Sequence, residues 1–147
     1  MSEQKKFVIN ATQRTHVDKR WGYEDWIWNG RYCGKKLFIE KGKECSYHCH
    51  KVKDEVMYLE YGKVLLTYGW DDDITTAASL VLTPDMAFHI PPGMFHRFHG
   101  LEESMLFEFS THHSDKDVVR AAEPQNKEVA NDTKGTSAGN SQTIAGP

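Results

Sequence analysis

The stretch Gly42-Lys43-Glu44-Cys45-Ser46-Tyr47-His48-Cys49-His50-Lys51-Val52-Lys53-Asp54-Glu55-Val56-Met57-Tyr58-Leu59-Glu60-Tyr61-Gly62 decides the fold, together with the later Pro91-Pro92-Gly93-Met94-Phe95-His96. His48 and His50 are two apart, so on a β-strand both point to one face. Glu55 follows the polar turn Lys51-Val52-Lys53-Asp54 and opens the next apolar run. His96 follows a Pro-Pro-Gly turn. Three imidazoles and a carboxylate at these spacings predict a β-structure that closes around one divalent metal, with His48, His50, Glu55 and His96 as ligands.

Working outward, the chain punctuates itself at short intervals. Asn29-Gly30 is a strong hairpin signal and predicts paired strands at Glu24–Trp28 and Arg31–Glu40. Further strands are expected at Ser46–His50, Val56–Tyr61, Lys63–Gly69, Ser79–Leu82, Ala87–Ile90, His96–His99 and Ser104–Ser110. Phe7-Val8-Ile9 reads as one more short β-run. Turns fall at Asp71-Asp72-Asp73, Thr83-Pro84-Asp85, Pro91-Pro92-Gly93 and Gly100-Leu101-Glu102. Many short strands separated by turn residues predict an all-β sandwich or barrel. Asp115–Ala122 is expected to form a short helical turn. The domain plan is an N-terminal extension over residues 1–20, a β-domain over 21–122 and a polar tail over 123–147. The tail is poor in large apolar residues and cannot offset its ordering entropy.

The two blocks resemble the paired motifs of the cupin superfamily, small β-barrels of jelly-roll (double-stranded β-helix) type that hold one metal through three His and one Glu. The first block matches at Gly42, His48, His50, Glu55 and Gly62, and the second at Pro91, Gly93 and His96. Asp85 stands where the second block has its first glycine, and Gly100 where it ends in Asn. Asp tolerates the left-handed backbone better than most residues, so the Asp85 departure is mild. The resemblance spans roughly residues 20–120. It implies a cupin-type β-barrel with a single divalent transition metal, Mn, Fe, Zn, Co or Ni, among which ligand type alone does not choose.

Length and composition set bounds. The 147 residues suffice for one domain with its own core. A net charge of −3 gives no electrostatic case for nucleic acid or an anionic membrane. No run reaches a membrane span and the start lacks a signal-peptide core, so a cytoplasmic location is the expectation. The three cysteines, Cys33, Cys45 and Cys49, do not suggest a disulfide framework. Cys45 and Cys49 would be about 13 Å apart along a strand, too far to bridge. Cys49, between two ligands, should point away from the metal.

Catalysis would need an acid or base beside the metal. Glu108 interrupts the apolar run Met105-Leu106-Phe107-Glu108-Phe109, and a desolvated carboxylate there would have a raised pKa suited to proton transfer. Lys36, sharing a face with Phe38 and Glu40, is the second candidate, with Glu40 itself a third. Tyr58 and Tyr61 read as packing residues, and Arg97 should point away from His96. His16, His89, His99, His112 and His113 fit no ligand spacing and are expected at the surface. Trp26 and Trp28 share a strand face, which together with Trp21 suggests a homodimer interface.

Lys19-Arg20-Trp21-Gly22-Tyr23-Glu24 is similar to the opening of the cupin module in type II mannose-6-phosphate isomerases, and Phe107–Thr111 with Ser114–Arg120 to its end. The middle resembles small stand-alone sugar cupins of the D-lyxose isomerase group. This resemblance implies a small-molecule partner, a sugar or sugar phosphate, and a metal-dependent aldose–ketose isomerase. Two alternatives stay open: an Fe(II)-dependent dioxygenase and a non-catalytic sugar-binding cupin.

Overall fold

The structure is a computed structural model that describes residues 6–122. Eleven strands form it: β1 (Thr15–Lys19), β2 (Gly22–Asn29), β3 (Tyr32–Ile39), β4 (Tyr47–His50), β5 (Glu55–Tyr61), β6 (Val64–Gly69), β7 (Ala78–Leu82), β8 (Ala87–Ile90), β9 (Phe95–Gly100), β10 (Ser104–Thr111) and β11 (Val118–Ala122). Single 3-10 turns lie at Ala11–Gln13, Ile74–Thr76 and Asp115–Asp117. All pairings between named strands are antiparallel. One sheet runs β1-β2-β3-β10-β5-β8 and the other β11-β4-β9-β6-β7.

The chain passes repeatedly from one sheet to the other, at β3–β4, β4–β5, β5–β6, β7–β8, β8–β9, β9–β10 and β10–β11. This is the jelly-roll part of the expectation. The closed barrel is corrected: no named strand pairs across the two sheets, which keep β1, β8, β11 and β7 as edges. Strands that alternate between layers bury their side chains against the opposite sheet without completing one hydrogen-bonded ring.

The interior divides into an apolar end and a polar end. On β3 the inward row is Ile39, Leu37, Lys35 and Cys33, and on β10 it is Ser104, Leu106 and Glu108. Leu106 stands opposite Leu37 on one side and Leu59 on the other, whereas Glu108 stands opposite Lys35 and Met57. Leu37, Leu59, Leu66, Leu82, Ile90, Phe98 and Leu106 belong to one core cluster. Each fully buried aliphatic side chain contributes roughly 1.5–3 kcal/mol by leaving water. This slab anchors the strands whose other ends carry the polar groups.

Two turns of the paired motif explain themselves. Gly62 has φ +96, and a Cβ there would collide with the Glu103 carbonyl and Ser104, so only glycine fits. Asp85 sits at φ 73, the left-handed conformation expected at that position, and its carboxylate accepts the Tyr58 hydroxyl at 2.6 Å.

Several local expectations change. Residues 7–9 form no strand, and the N-terminal strand is β1, further along. The segment expected as a helical turn at 115–122 keeps only the 3-10 turn Asp115–Asp117, then extends as β11 to pair with β4. Its Val118-Val119 pair favours extension over helix. Trp26 and Trp28 do not share a face: a register shift between them leaves Trp26 opposite Lys35 and Trp28 opposite Gly34. The extra residue turns the strand over. The proposed tail at 123–147 lies outside the described residues.

Candidate metal centre

The site spans both sheets. His48 and His50 come from β4, and His96 from β9 at the position paired directly with His48. Glu55 is the first residue of β5 in the opposite sheet. The Gly93 amide donates to the His50 carbonyl at 2.7 Å, which ties the Pro-Pro-Gly turn before β9 to the ligand strand.

One ligand atom from each of His48, His50 and His96 lies within 4.8 Å of the others. Glu55 Oε1 is 3.1 Å from His96 Nε2 and 3.8 Å from His50 Nε2. The rings of His48 and His96 are aimed by the backbone. His48 Nδ1 lies 2.8 Å from the Ser46 carbonyl and His96 Nδ1 3.0 Å from the Met94 carbonyl. A carbonyl only accepts, so each Nδ1 carries the proton and each Nε2 presents its lone pair. Such backbone contacts are how proteins orient metal-binding imidazoles.

The electrostatics favour the protonation states a metal needs. Burial and the neighbouring His96 hold His48 well below the ordinary imidazole range. Burial and the Lys53 ammonium push His50 down to about 4. Burial drives the Glu55 carboxyl upward, but His96, Lys53 and His50 outweigh it and keep it well below its usual value. Neutral imidazoles and an ionised carboxylate are what a divalent cation binds.

The residues fit a metal on a further observation. Both Glu55 oxygens, His96 Nε2 and His50 Nδ1 are buried without a hydrogen-bond partner. Glu55 has cationic neighbours at ion-pair distance, including Lys53 at 3.0 Å, yet these contacts lack hydrogen-bond alignment. Buried polar atoms left this way are costly. A divalent cation among them would satisfy Glu55 and His96 together.

Beside the ligands lies a second charged layer. Lys53 Nζ hydrogen-bonds Glu108 Oε2 at 3.3 Å and His113 Nδ1 at 3.2 Å, and lies 3.0 Å from Glu55 Oε2 as an ion pair; an ammonium only donates. His113 Nδ1 therefore accepts, and its Nε2 donates to Asp115 Oδ1 at 3.0 Å. Asp117 accepts the amides of Lys51, Val52 and Lys53, which fixes the loop that carries Lys53. Burial and the Glu55 charge raise the Glu108 pKa, while Lys53 and Lys35 pull against them. Lys35 lies 3.4 Å from Glu24 and 4.2 Å from the ring centre of Trp26. Glu24, Lys35, Lys53, Glu108, His113 and Asp115 line, with the four candidate ligands, a cavity of about 330 Å³ that also meets Lys19, Arg20, Trp21 and Arg120.

Glu108 thus lies in the cavity wall. Lys36 does not: it is on the outer face of β3, as is Phe38, while Lys35 and Leu37 point in. Glu40 is exposed. Both faces of β3 carry large apolar groups, so hydropathy alone does not set its parity. Lys35, Lys53 and His113 are among the cavity residues that sequence reasoning missed. Lys53 stands two residues before Glu55, a spacing that signals a shared face if the loop is extended. His113 is buried, against expectation, because Asn29 clasps its backbone from the end of β2, accepting its amide at 2.9 Å and donating to its carbonyl at 3.0 Å. His16, His89 and His112 are exposed, and His99 is half-buried against Glu44. Arg97 faces away from the cavity and pairs with Glu44 at 3.7 Å. Tyr58 and Tyr61 also lie outside it. All three cysteines are free thiols.

The three clustered histidines could hold a metal ion, and the likeness to solved structures shows the fold. The chain superposes on the capsular polysaccharide assembling protein CapF from Staphylococcus aureus with a TM-score of 0.65, at 14% identity, over 74% of this chain and 34% of that one. Oxalate decarboxylase from Bacillus subtilis gives 0.64 at 16% identity, over 76% and 31%. KdgF from Halomonas sp. gives 0.61 at 18% identity, over 75% and 96%. All three are cupin-fold proteins, and this chain has that fold. It spans about a third of CapF and of the decarboxylase. No family model and no curated protein sequence matches it. Among the described residues no helix is long and apolar enough to cross a membrane.

Proposed function

We propose that this cupin is a divalent-metal-dependent enzyme that acts on a sugar or sugar phosphate as an aldose–ketose isomerase, with His48, His50, Glu55 and His96 as the metal ligands. The observation that carries the reading is Glu108: a buried carboxylate in the cavity wall, joined to Glu55 through one lysine. An aldose–ketose exchange needs a proton taken from one carbon and returned to its neighbour. Glu108 is the group placed to do it, because its raised pKa suits both halves of the transfer. A bound divalent metal would supply Lewis-acid polarisation of the substrate carbonyl. Lys53 keeps Glu55 and Glu108 from repelling each other and orients both. Lys35, held by Glu24 and Trp26, supplies further positive charge in the cavity.

Two further points support a sugar. Of Lys19-Arg20-Trp21-Gly22-Tyr23-Glu24, the stretch that resembles the opening of the mannose-6-phosphate isomerase module, Lys19, Arg20, Trp21 and Glu24 line the cavity. CapF, similar in fold, is named for capsular polysaccharide assembly. A homodimer belongs to the same reading, since Trp28, Tyr32 and Phe109 are exposed at 45%, 68% and 59%. Sedimentation at micromolar protein tests it, and a pure monomer would reject it.

The test of function is proton exchange. Metal-reconstituted protein is incubated in deuterium oxide with aldoses and their phosphates and followed by NMR. Deuterium at the carbon next to the carbonyl, with ketose formation, supports the isomerase. Oxygen uptake with Fe(II) and no exchange would replace it with the dioxygenase, and binding without either would leave a binding module.

A further inference from the structure

The cavity is electropositive in a chain whose net charge is −3. Five cations, Lys19, Arg20, Lys35, Lys53 and Arg120, line it against four carboxylates, Glu24, Glu55, Glu108 and Asp115. A divalent metal would add to the excess. Among the inner groups, Lys35 pairs with Glu24, Lys53 is shared by Glu55 and Glu108, and Asp115 meets His113. The remaining lining cations are Lys19, Arg20 and Arg120. Neither Arg20 nor Arg120 has a carboxylate within ion-pair distance among the described residues.

Both arginines are built into the cavity mouth. Arg120 stands opposite His48 in the β11–β4 register, and directly paired residues share a sheet face. It is therefore on the face that carries the metal ligands. Its Nη1 donates to Ser46 Oγ at 2.7 Å, which fixes the guanidinium against the wall and leaves its other N–H groups for a ligand. Arg20 lies in the tight turn between β1 and β2, next to the buried Trp21. The Trp21 carbonyl accepts the Glu40 amide at 2.8 Å, which holds that turn over the cavity. A cleft with uncompensated positive charge and low-dielectric walls concentrates anions. Guanidinium groups recognise phosphate and carboxylate through paired hydrogen bonds.

We propose that Arg120 and Arg20 form an anion clamp at the cavity mouth, so that the substrate carries a phosphate or carboxylate there while its polar end faces His48, His50, Glu55 and His96. This rests on the reading above and narrows it from a sugar or sugar phosphate to acidic sugars alone, with Arg20 and Arg120 as the residues that select them. The metal centre and the clamp then hold one molecule at two points, which fixes its direction in the cavity.

The test is calorimetric binding to the metal-loaded full chain, with D-glucose, D-glucose 6-phosphate and D-glucuronate as probes. The phosphate or the carboxylate sugar should bind at least about tenfold more tightly than glucose, and which of the two wins identifies the anion. Arg120→Gln and Arg20→Gln should each lower that affinity about tenfold, and Lys63→Gln, at the outer surface, should leave it unchanged. The preference should weaken with salt. Equal affinity for glucose, a preference that survives both arginine substitutions, or no binding of any acidic probe at millimolar concentration overturns the clamp. Clamp-dependent binding with no proton exchange would instead sink the isomerase and leave the clamp standing.

Discussion

Glu55 Oε1 lies 3.1 Å from His96 Nε2, and the two residues come from different sheets. The candidate metal centre therefore spans the two layers of the sandwich. A metal held there would stabilise the folded state by mass action, because the unfolded chain has no such site. Thermal unfolding should shift upward on adding the bound metal and downward on chelation. An unchanged midpoint in both would mean that nothing binds across the sheets.

Glu108→Gln keeps the shape of the side chain and removes the base. Steady-state rates should fall by about 100- to 10,000-fold, with binding little changed. Retained turnover would remove Glu108 from the mechanism. Lys36→Ala, on the outer face, should leave turnover unaltered and serves as the matched control.

Lys53→Met leaves Glu55 and Glu108 facing each other in the interior without their shared cation. Breaking a buried ion pair by removing one partner typically costs about 3–5 kcal/mol. Chemical denaturation of the metal-free variant should show a loss of that order. A loss below about 1 kcal/mol would mean the two carboxylates are already neutralised by other means.

The metal-free protein should lose stability as pH falls from neutrality. His50 is held at about 4 against an ordinary 6.5, so between those values the unfolded chain binds the extra proton. Stability then rises with pH across that window, on the order of 3 kcal/mol for His50 alone. His48 acts in the same direction, and the raised pKa of Glu108 opposes both. Melting of chelated protein from pH 7.5 to 4.5 should show the decline, and His50→Gln should flatten it. A flat wild-type profile would contradict the neutral buried imidazoles.

Leu106→Ala tests the apolar end of the interior. Leu106 is fully buried between Leu37 and Leu59, and truncation there should cost about 2–5 kcal/mol. A change under 1 kcal/mol would show that the slab anchoring β3, β5 and β10 can collapse around the loss.

Most strands were legible because this chain ends them with strong turn residues: Asn29-Gly30, Pro91-Pro92-Gly93 and Gly62 each mark a boundary that the structure keeps. The shared face of His48 and His50 was legible from strand period, and the approach of His96 from the resemblance of the paired motif. The facing of β3 was not. Leu37 points into the core while Phe38 stacks on Tyr23 outside, at 5.2 Å between ring centres, so hydropathy gives no alternation. Lys35 and Lys36 were exchanged for that reason. Trp26 and Trp28 were misread because a bulge leaves no mark in a run of aromatic residues. Lys53 and His113 sit in loops, where no periodicity applies, and only their long-range anchors Asp117 and Asn29 turn them inward.

The central claim is that the three histidines and Glu55 hold a metal. The direct measurement is the metal content of protein purified without added metal or chelator, compared with His48→Ala/His50→Ala. The account predicts close to one divalent transition metal per chain, lost in the double variant while the β-fold persists by circular dichroism. Wild-type protein that carries no metal, and takes up none of Mn, Fe, Co, Ni or Zn on reconstitution, would contradict it.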